Sequence, residues 1–573
     1  MSPPLNRRWD PEASLVLWFA ACVSIGSFLF YLRQGDLLLY GDAVAHINIA
    51  RRVFDSLTPG PLQLGTVWLP LPHLLMLPFL ISTQMWQRGL GGSIPSMAAY
   101  VFGVVGIFRL VRGILVRRIL VRRVLSRDDS RDDDSRDDDS RDSESDLRAR
   151  AAAWTAALIY AANPNLIYLQ TTAMGEALYL AFFIWSVVYF SEFIRGDAKA
   201  LAKCGFCLFA ACLTRYDGWF LAAAMAAVIV ILSIVRRKSS GENTIIISHG
   251  AVLKFVLIAA AAPALWLTYN GVIYRNPLEF ENGPYSAKAI ERKTQTSGNL
   301  GHPGSGNLPV ATLYFLKSAE DNVVTNQWLQ RTWLALAALA VVLATISRHR
   351  RLLPLLFLLV PLPFYGLSVA YGGVPIFVPQ WWPFSHYNVR YGLQLLPGLS
   401  VALSILMYEM SQASRWSRRV RSALALGLLA FVALSYGSVW RADPITLKEA
   451  ELNMRGRNHL EDQLASVLLK VPSNATLLMY LGDHVGALQK AGIPLRRVIN
   501  EGNRRVWKQP TDVDGLWERA LADPAHYAEY AVGFEGDPVW EAAQRSHLSA
   551  LIVIHVTGQA RAALYATGSS SSR

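Results

Sequence analysis

The chain has 573 residues, of which 52% are hydrophobic and only 17% charged, with a mean hydropathy of +0.26. That balance excludes an ordinary soluble globular protein and predicts a polytopic α-helical membrane protein. The net charge is +13, yet residues 126–146 alone hold four Arg against ten Asp and one Glu, so the rest of the chain carries +20.

The first apolar run, Ser14 to Leu32, is too long for a cleaved signal and reads as a retained anchor. Arg/Lys clusters then fall at Arg7-Arg8, Arg117-Arg118 with Arg122-Arg123, Arg195 to Lys203, Arg236 to Lys238, Arg348 to Arg351 and Arg415 to Arg421. Each lies beside the end of an apolar segment, which places all of them in the cytoplasm by the positive-inside rule and gives no reason to expect a nucleic-acid partner. With those anchors the chain reads as about eleven spans, near 14–32, 97–116, 151–168, 176–194, 201–214, 219–235, 252–270, 332–347, 352–370, 391–410 and 422–440. An odd number puts the N-terminus inside and the C-terminus outside, in an integral membrane protein of a bacterial inner or plasma membrane. The apolar stretch Leu69 to Trp86 is broken by Pro70, Pro72 and Pro78 and is expected to lie along the outer face within an external loop, 33–96.

Residues 1–440 thus form the expected membrane domain. Within it, Ser126 to Ser140 repeats Ser-Arg-Asp-Asp with almost nothing apolar to bury, and 117–150 is expected to be a disordered cytoplasmic linker. Residues 271–330 form a long external loop rich in Gly, Asn, Pro and Ser around 297–309, which is expected to act as a lid. Residues 441–573 are less hydropathic and predict a small extracytoplasmic α/β domain. Its strands are expected at Ala475 to Leu481, Arg497 to Asn500, Tyr527 to Phe534 and Leu548 to Val556. Gly482-Asp483-His484, at the end of the first of these, reads as a structural turn.

Four polar groups recur on the external side. The first is Tyr40-Gly41-Asp42-Ala43-Val44-Ala45-His46, followed by Asn48, Arg51 and Arg52. An ionised carboxylate beside a bilayer is costly, and Asp42 and His46 share a helix face. The second is Glu176, at the outer mouth of the next pair of spans. The third is Arg215-Tyr216-Asp217-Gly218, with Asp217 able to neutralise Arg215, and the fourth is His386-Tyr387-Asn388-Val389-Arg390-Tyr391. Arg215 and Arg390 sit at outer ends, where arginine is disfavoured, and this points to an anionic partner. Arg390 has no carboxylate near it in sequence. Asp42 and Glu176 are therefore the candidate catalytic acids, and Arg390, Arg215, His46, Arg51, His73 and Tyr391 the candidate substrate- and phosphate-binding residues. The histidines have no metal-ligand spacing, the four cysteines fall in apolar spans, and no P-loop, G-x-S-x-G or dinucleotide fingerprint occurs. No metal or cofactor is expected.

Asp42 just after the first span, the stretch Trp68-Leu69-Pro70-Leu71-Pro72-His73, Asn163-Pro164 followed by Glu176, and the basic turn at Arg215 resemble the GT-C glycosyltransferase superfamily. Within it the chain looks like the branch that holds protein O-mannosyltransferases and lipid A aminoarabinose transferases. The resemblance implies sugar transfer from a polyprenyl-phosphate donor to a lipid, glycan or protein acceptor on the external membrane face. It places Asp42 at the family's first-loop catalytic acid and Glu176 at the second-loop acid. The chain departs from the family in having Asp42-Ala43 for an Asp-Glu pair, Leu71-Pro72-His73 for Lys-Pro-Pro, and Arg215-Tyr216-Asp217-Gly218 for a Lys-Gly turn. A base attacking opposite the phosphate predicts inversion at the anomeric carbon. A secondary transporter or a scaffold or sensor without chemistry are the competing readings. The first would need acids near the bilayer midplane and repeated halves, and the second would tolerate loss of Asp42.

Overall fold

The structure, a computed structural model, describes residues 11–127, 135–237, 249–294, 301–346, 352–413, 416–502 and 515–568. The expectations for Arg7-Arg8, residues 128–134, Lys238, residues 295–300, residue 347, Arg348 to Arg351 and Arg415 lie outside them.

The chain opens with α1 (Pro11–Gln34) and then a segment of short helices, α2 (Gly41–Arg52), α3 (Leu71–Met76) and α4 (Thr83–Gln87). The prolines break Leu69 to Trp86 as expected, because each removes a donor that an uninterrupted helix would use. The long α5 (Leu90–Arg127) and α6 (Ser135–Ala161) follow. These two helices correct the expected linker at 117–150, of which they occupy all but 128–134. At the described end of α6 the pairs Arg148 with Glu144 and Arg150 with Asp146 are spaced i,i+4, which supports helix where alternating charge had implied a coil.

Asn163 ends that helix. Its side chain accepts the Leu166 N–H at 3.0 Å and Pro164 opens α7 (Pro164–Leu169), so the expected span at 151–168 is two helices rather than one. Next come α8 (Glu176–Ile194), α9 (Ala198–Cys212), α10 (Asp217–Arg237) and α11 (His249–Tyr274). The region read as a long loop, 271–330, contains α12 (Glu279–Asn282), α13 (Ala287–Thr294) and α14 (Leu308–Asp321). In α14 the buried residues Ala311, Tyr314, Phe315, Ser318 and Ala319 recur at helical spacing, a pattern obscured by the Gly-rich stretch before it. The membrane part closes with α15 (Gln327–Ile346), α16 (Pro361–Tyr371), α17 (Leu396–Gln412) and α18 (Arg418–Arg441).

Among the described residues eight helical stretches are long and apolar enough to cross a membrane, and they coincide with eight of the expected spans. The remaining three fall on α6, α9 and α15. Small residues bring helices close where hydrophobicity alone gives no drive to associate: Ala149, Ala152, Ala153, Ala156 and Ala157 of α6 are buried in the main core.

The tail starts with α19 (Ile445–Leu468) and carries a five-stranded sheet of β1 (Leu477–Met479), β2 (Val498–Ile499), β3 (Tyr530–Phe534), β4 (Ala550–Ile554) and β5 (Ala562–Ala566). Spatial order is β2-β1-β3-β5-β4, with β1 parallel to β2 and β3, and β5 antiparallel to β3 and β4. Four strands fall where the sequence pattern places them, and β5 is an addition. Gly482 to His484 lie in the first turn of α20 (Leu481–Ala491), and the His484 ring stacks on Phe534 at 4.0 Å.

The tail is fastened to the α2–α4 segment and to α7 by buried polar groups. Asn48 donates to Gln489 of α20 at 2.7 Å and accepts from the Trp86 indole at 3.1 Å, while Gln489 donates to the Trp86 carbonyl at 2.8 Å. Asn165 of α7 accepts from both the backbone N–H and the hydroxyl of Thr446 at 3.0 Å. Each buried donor and acceptor here meets its complement, which is what makes such a seam specific.

Candidate active site

The α2–α4 segment, the loops between spans and α13 enclose a cavity of about 1360 Å³. Helix α2 presents Asp42, His46, Ile49 and Arg52 to it, a single stripe at helical spacing. Asp42 lies in the first turn of α2, where unpaired backbone N–H groups favour a negative charge. Trp68, Trp219, Phe220, Phe364 and Trp382 supply much of the apolar wall.

Arg390 is the hub of the polar end. Its Nη2 donates to Asp42 at 2.6 Å, its Nε to Glu176 at 3.2 Å and its Nη1 to Glu449 at 2.7 Å. Arg215 also donates to Glu176, through Nη1 at 3.2 Å, so that one carboxylate oxygen bridges the two arginines. Arg215 further donates to the Tyr365 hydroxyl at 2.7 Å, and that hydroxyl donates to Asp217 at 3.0 Å. Tyr391 lies against both guanidinium groups, 5.1 Å from Arg390 and 5.0 Å from Arg215, a cation–π arrangement that fixes their separation.

Burial separates the acids. The Glu176 and Glu449 side chains are 2% and 1% exposed, whereas that of Asp42 is 40% exposed and opens into the cavity. Asp42 is therefore the carboxylate of this cluster that a ligand in the cavity can reach with least rearrangement.

The structure brings Asp42, Glu176, Arg215, Arg390, His46 and Tyr391 to this one cavity. It does not bring Arg51. That side chain is buried on the far side of α2, where it pairs with Asp55 at 2.7 Å, donates to the backbone carbonyls of Leu80 and Ile81 and packs on Phe54 and Trp86. Arg51 is nine residues from Asp42, which at about 100° per residue is half a turn; Arg52 takes the cavity position instead. His73 also stands back from the cavity, fully buried and bonded to His46 at 2.8 Å through Nε2 and Nδ1. Burial pushes the imidazoles of both His46 and His73 below the ordinary histidine range, and Asp42 and Glu176 pull His46 the other way.

Arg390 is not without a carboxylate, as its sequence neighbourhood implies, because three arrive from distant segments. The pairing of Arg215 with Asp217 at 3.4 Å and its place at the cavity hold together. The sequence reading missed Glu449, which starts a polar helix where glutamate draws no notice, and Tyr365, hidden in an apolar span. Among the described residues no group of three or more His, Cys, Asp or Glu side chains is placed to hold a metal ion.

No family model and no curated protein matches the sequence. Solved structures do. ArnT from Cupriavidus metallidurans bound to undecaprenyl phosphate aligns over 98% of both chains with a TM-score of 0.52 and 13% identity. The same protein in its apo state aligns over 98% of this chain and 99% of that one, at 0.52 and 14%. An Archaeoglobus fulgidus oligosaccharyltransferase aligns more loosely, over 98% of this chain and 74% of that one, with a TM-score of 0.42 and 11% identity. Along nearly its whole length, the chain shares the fold of ArnT.

Proposed function

We propose that the protein is an integral-membrane glycosyltransferase that moves a sugar from a polyprenyl-phosphate carrier to a hydroxyl acceptor on the external membrane face. The observation that carries this reading is the cavity itself: a solvent-open carboxylate, Asp42, lies beside two arginines at the polar end of a chamber otherwise walled by aromatic and aliphatic side chains. A lipid-linked sugar phosphate has the same division into a long apolar part and a compact anionic head. The ArnT structure with bound undecaprenyl phosphate supports this ligand class.

In this reaction Asp42 takes the proton of the acceptor hydroxyl as its oxygen forms a bond to the anomeric carbon. The bond from that carbon to the phosphate oxygen breaks, and its electron pair leaves with the phosphate. Arg390 and Arg215, held at fixed spacing by Glu176 and Tyr391, meet the developing charge. Attack opposite the leaving phosphate inverts the anomeric carbon. Within the expected lid, 271–330, residues 279–294 and 301–303 supply Glu279, Tyr285, Ile290 and His302 to the cavity wall and close over it. Acceptors among lipids, glycans and proteins share the hydroxyl this chemistry requires.

The test is purified protein reconstituted with polyprenyl-phosphate sugars, with transfer followed by mass spectrometry. Asp42→Asn keeps the shape but cannot accept a proton, and should slow turnover by about 10²–10⁴-fold while donor binding persists. Near-wild-type transfer by that variant would remove Asp42 from the role of base.

A further inference from the structure

We infer that Glu449, contributed by α19 at the entry to the C-terminal domain, is a positioning residue that divides the Arg390 guanidinium among its partners and so leaves Asp42 able to take a proton. The inference rests on the glycosyl-transfer reading above. Glu449 is buried and stands behind the cavity wall, so it acts through Arg390 and not on substrate. Its Oε1 accepts from Arg390 Nη1 at 2.7 Å and from the Asn388 N–H at 2.9 Å, and its Oε2 accepts from the Arg390 N–H at 3.3 Å. Asn388 holds a left-handed φ of 55°, so one carboxylate fixes both a constrained backbone turn and the side chain that follows it.

The division of the guanidinium decides the chemistry. Left to itself, a guanidinium grips a carboxylate through two parallel N–H bonds. Here Nη1 is held by Glu449 and Nε by Glu176, and Nη2 alone reaches Asp42. Asp42 is thereby oriented by one donor and still open to the cavity.

Removing the Glu449 charge acts on Asp42 in one direction by two routes. Arg390 becomes free to turn a second N–H toward Asp42, and the negative potential that favours protonation of Asp42 declines. The other charged and titratable groups around Asp42 are Arg390, Tyr391 and Tyr387 on the 387–391 segment, Glu176 on α8, His46 on its own helix and Arg457 on α19. All of them remain in a Glu449 variant.

The experiment is Glu449→Gln in the full-length protein, with kcat and donor KM measured across pH in the reconstituted polyprenyl-phosphate sugar assay. The expected result is a kcat about tenfold lower, a donor KM within about twofold of wild type, and an acid limb of kcat displaced downward by about one pH unit. A purely structural role would lower the amount of folded enzyme without moving that limb. An unmoved limb, or a loss carried by KM alone, overturns the inference. If Glu449→Gln does not fold, Glu449→Asp, which keeps the charge but withdraws the carboxylate from Arg390 Nη1, tests the first route alone: a smaller displacement of the same sign supports the inference and none overturns it. Wild-type protein that transfers no sugar would overturn the functional reading and this inference together, whereas active wild type with an unmoved Glu449→Gln profile overturns the inference alone.

Discussion

Three carboxylates converge on the Arg390 guanidinium, and the consequences of removing it follow from that count. Arg390→Ala leaves Glu176 and Glu449 buried and short of positive charge, which costs about 3–5 kcal/mol of stability. Arg390→Lys keeps the charge but not the planar fork, so it should fold near normally, yet bind a polyprenyl-phosphate analogue at least about tenfold more weakly. Equal analogue binding by wild type and Arg390→Lys would remove Arg390 from the phosphate site. The His46–His73 pair makes a second prediction. Burial holds both rings neutral in the fold, while in the unfolded chain they titrate near 6.5. As pH falls the unfolded chain therefore takes up protons first, so stability is complete above about pH 6.5 and drains below it. Charge near the pair comes from Asp42, Glu176, Arg390 and Arg215 at His46 and from Arg52 at His73. The melting temperature in detergent should drop between pH 7 and pH 5, and the drop should shrink in His73→Gln; an identical drop would place its origin elsewhere. At this scale the sequence was informative where a charge was out of place. Asp42, Glu176, Arg215 and Arg390 all stand at ends of apolar spans, whereas Glu449 lies near the start of a helix in which charge is ordinary.

Helix α2 shows what a one-residue difference does within an element. Arg51 and Arg52 are adjacent, yet the first is sealed against Asp55 and the Leu80 and Ile81 carbonyls while the second lines the cavity. Arg51→Ala should therefore lower the melting temperature, because Asp55 is left buried without its main partner, and should change turnover only in proportion to the folded fraction. Arg52→Ala should do the reverse, keeping stability within about 0.5 kcal/mol while weakening donor use. Measuring melting and KM for the two variants side by side separates the faces; the same phenotype from both would contradict the helix geometry. The periodicity of 41–52 could have made this assignment from sequence alone. Other elements were less legible for a physical reason. Hydropathy finds apolar length, so it placed the spans well, but it could not show that Asn163-Pro164 would divide one of them. Composition alone also misread α6 and α14, where i,i+4 ion pairs and a buried stripe outweigh charge repeats and glycine.

Across the whole molecule, the membrane helices and the sheet-bearing tail meet at one polar seam, and both sides contribute to the cluster around Arg390. The reading of orientation makes a direct prediction: with the acidic repeat in the cytoplasm and the tail outside, a cysteine at Ser135 should resist a membrane-impermeant maleimide in intact cells while one at Gly558 reacts. Labelling of Ser135→Cys from outside would invert the assignment of the second and third spans. The sequence separations within the cluster carry one more consequence, for biosynthesis. Asp42 meets its arginine 348 residues later, and that arginine meets Glu449 only after a further 59. A polypeptide is made from its N-terminus onward, so the first acid is in place early and waits through most of translation for its cation. A chain that stalls or is clipped before α19 therefore holds an incomplete cluster, which closes only once that helix has been made.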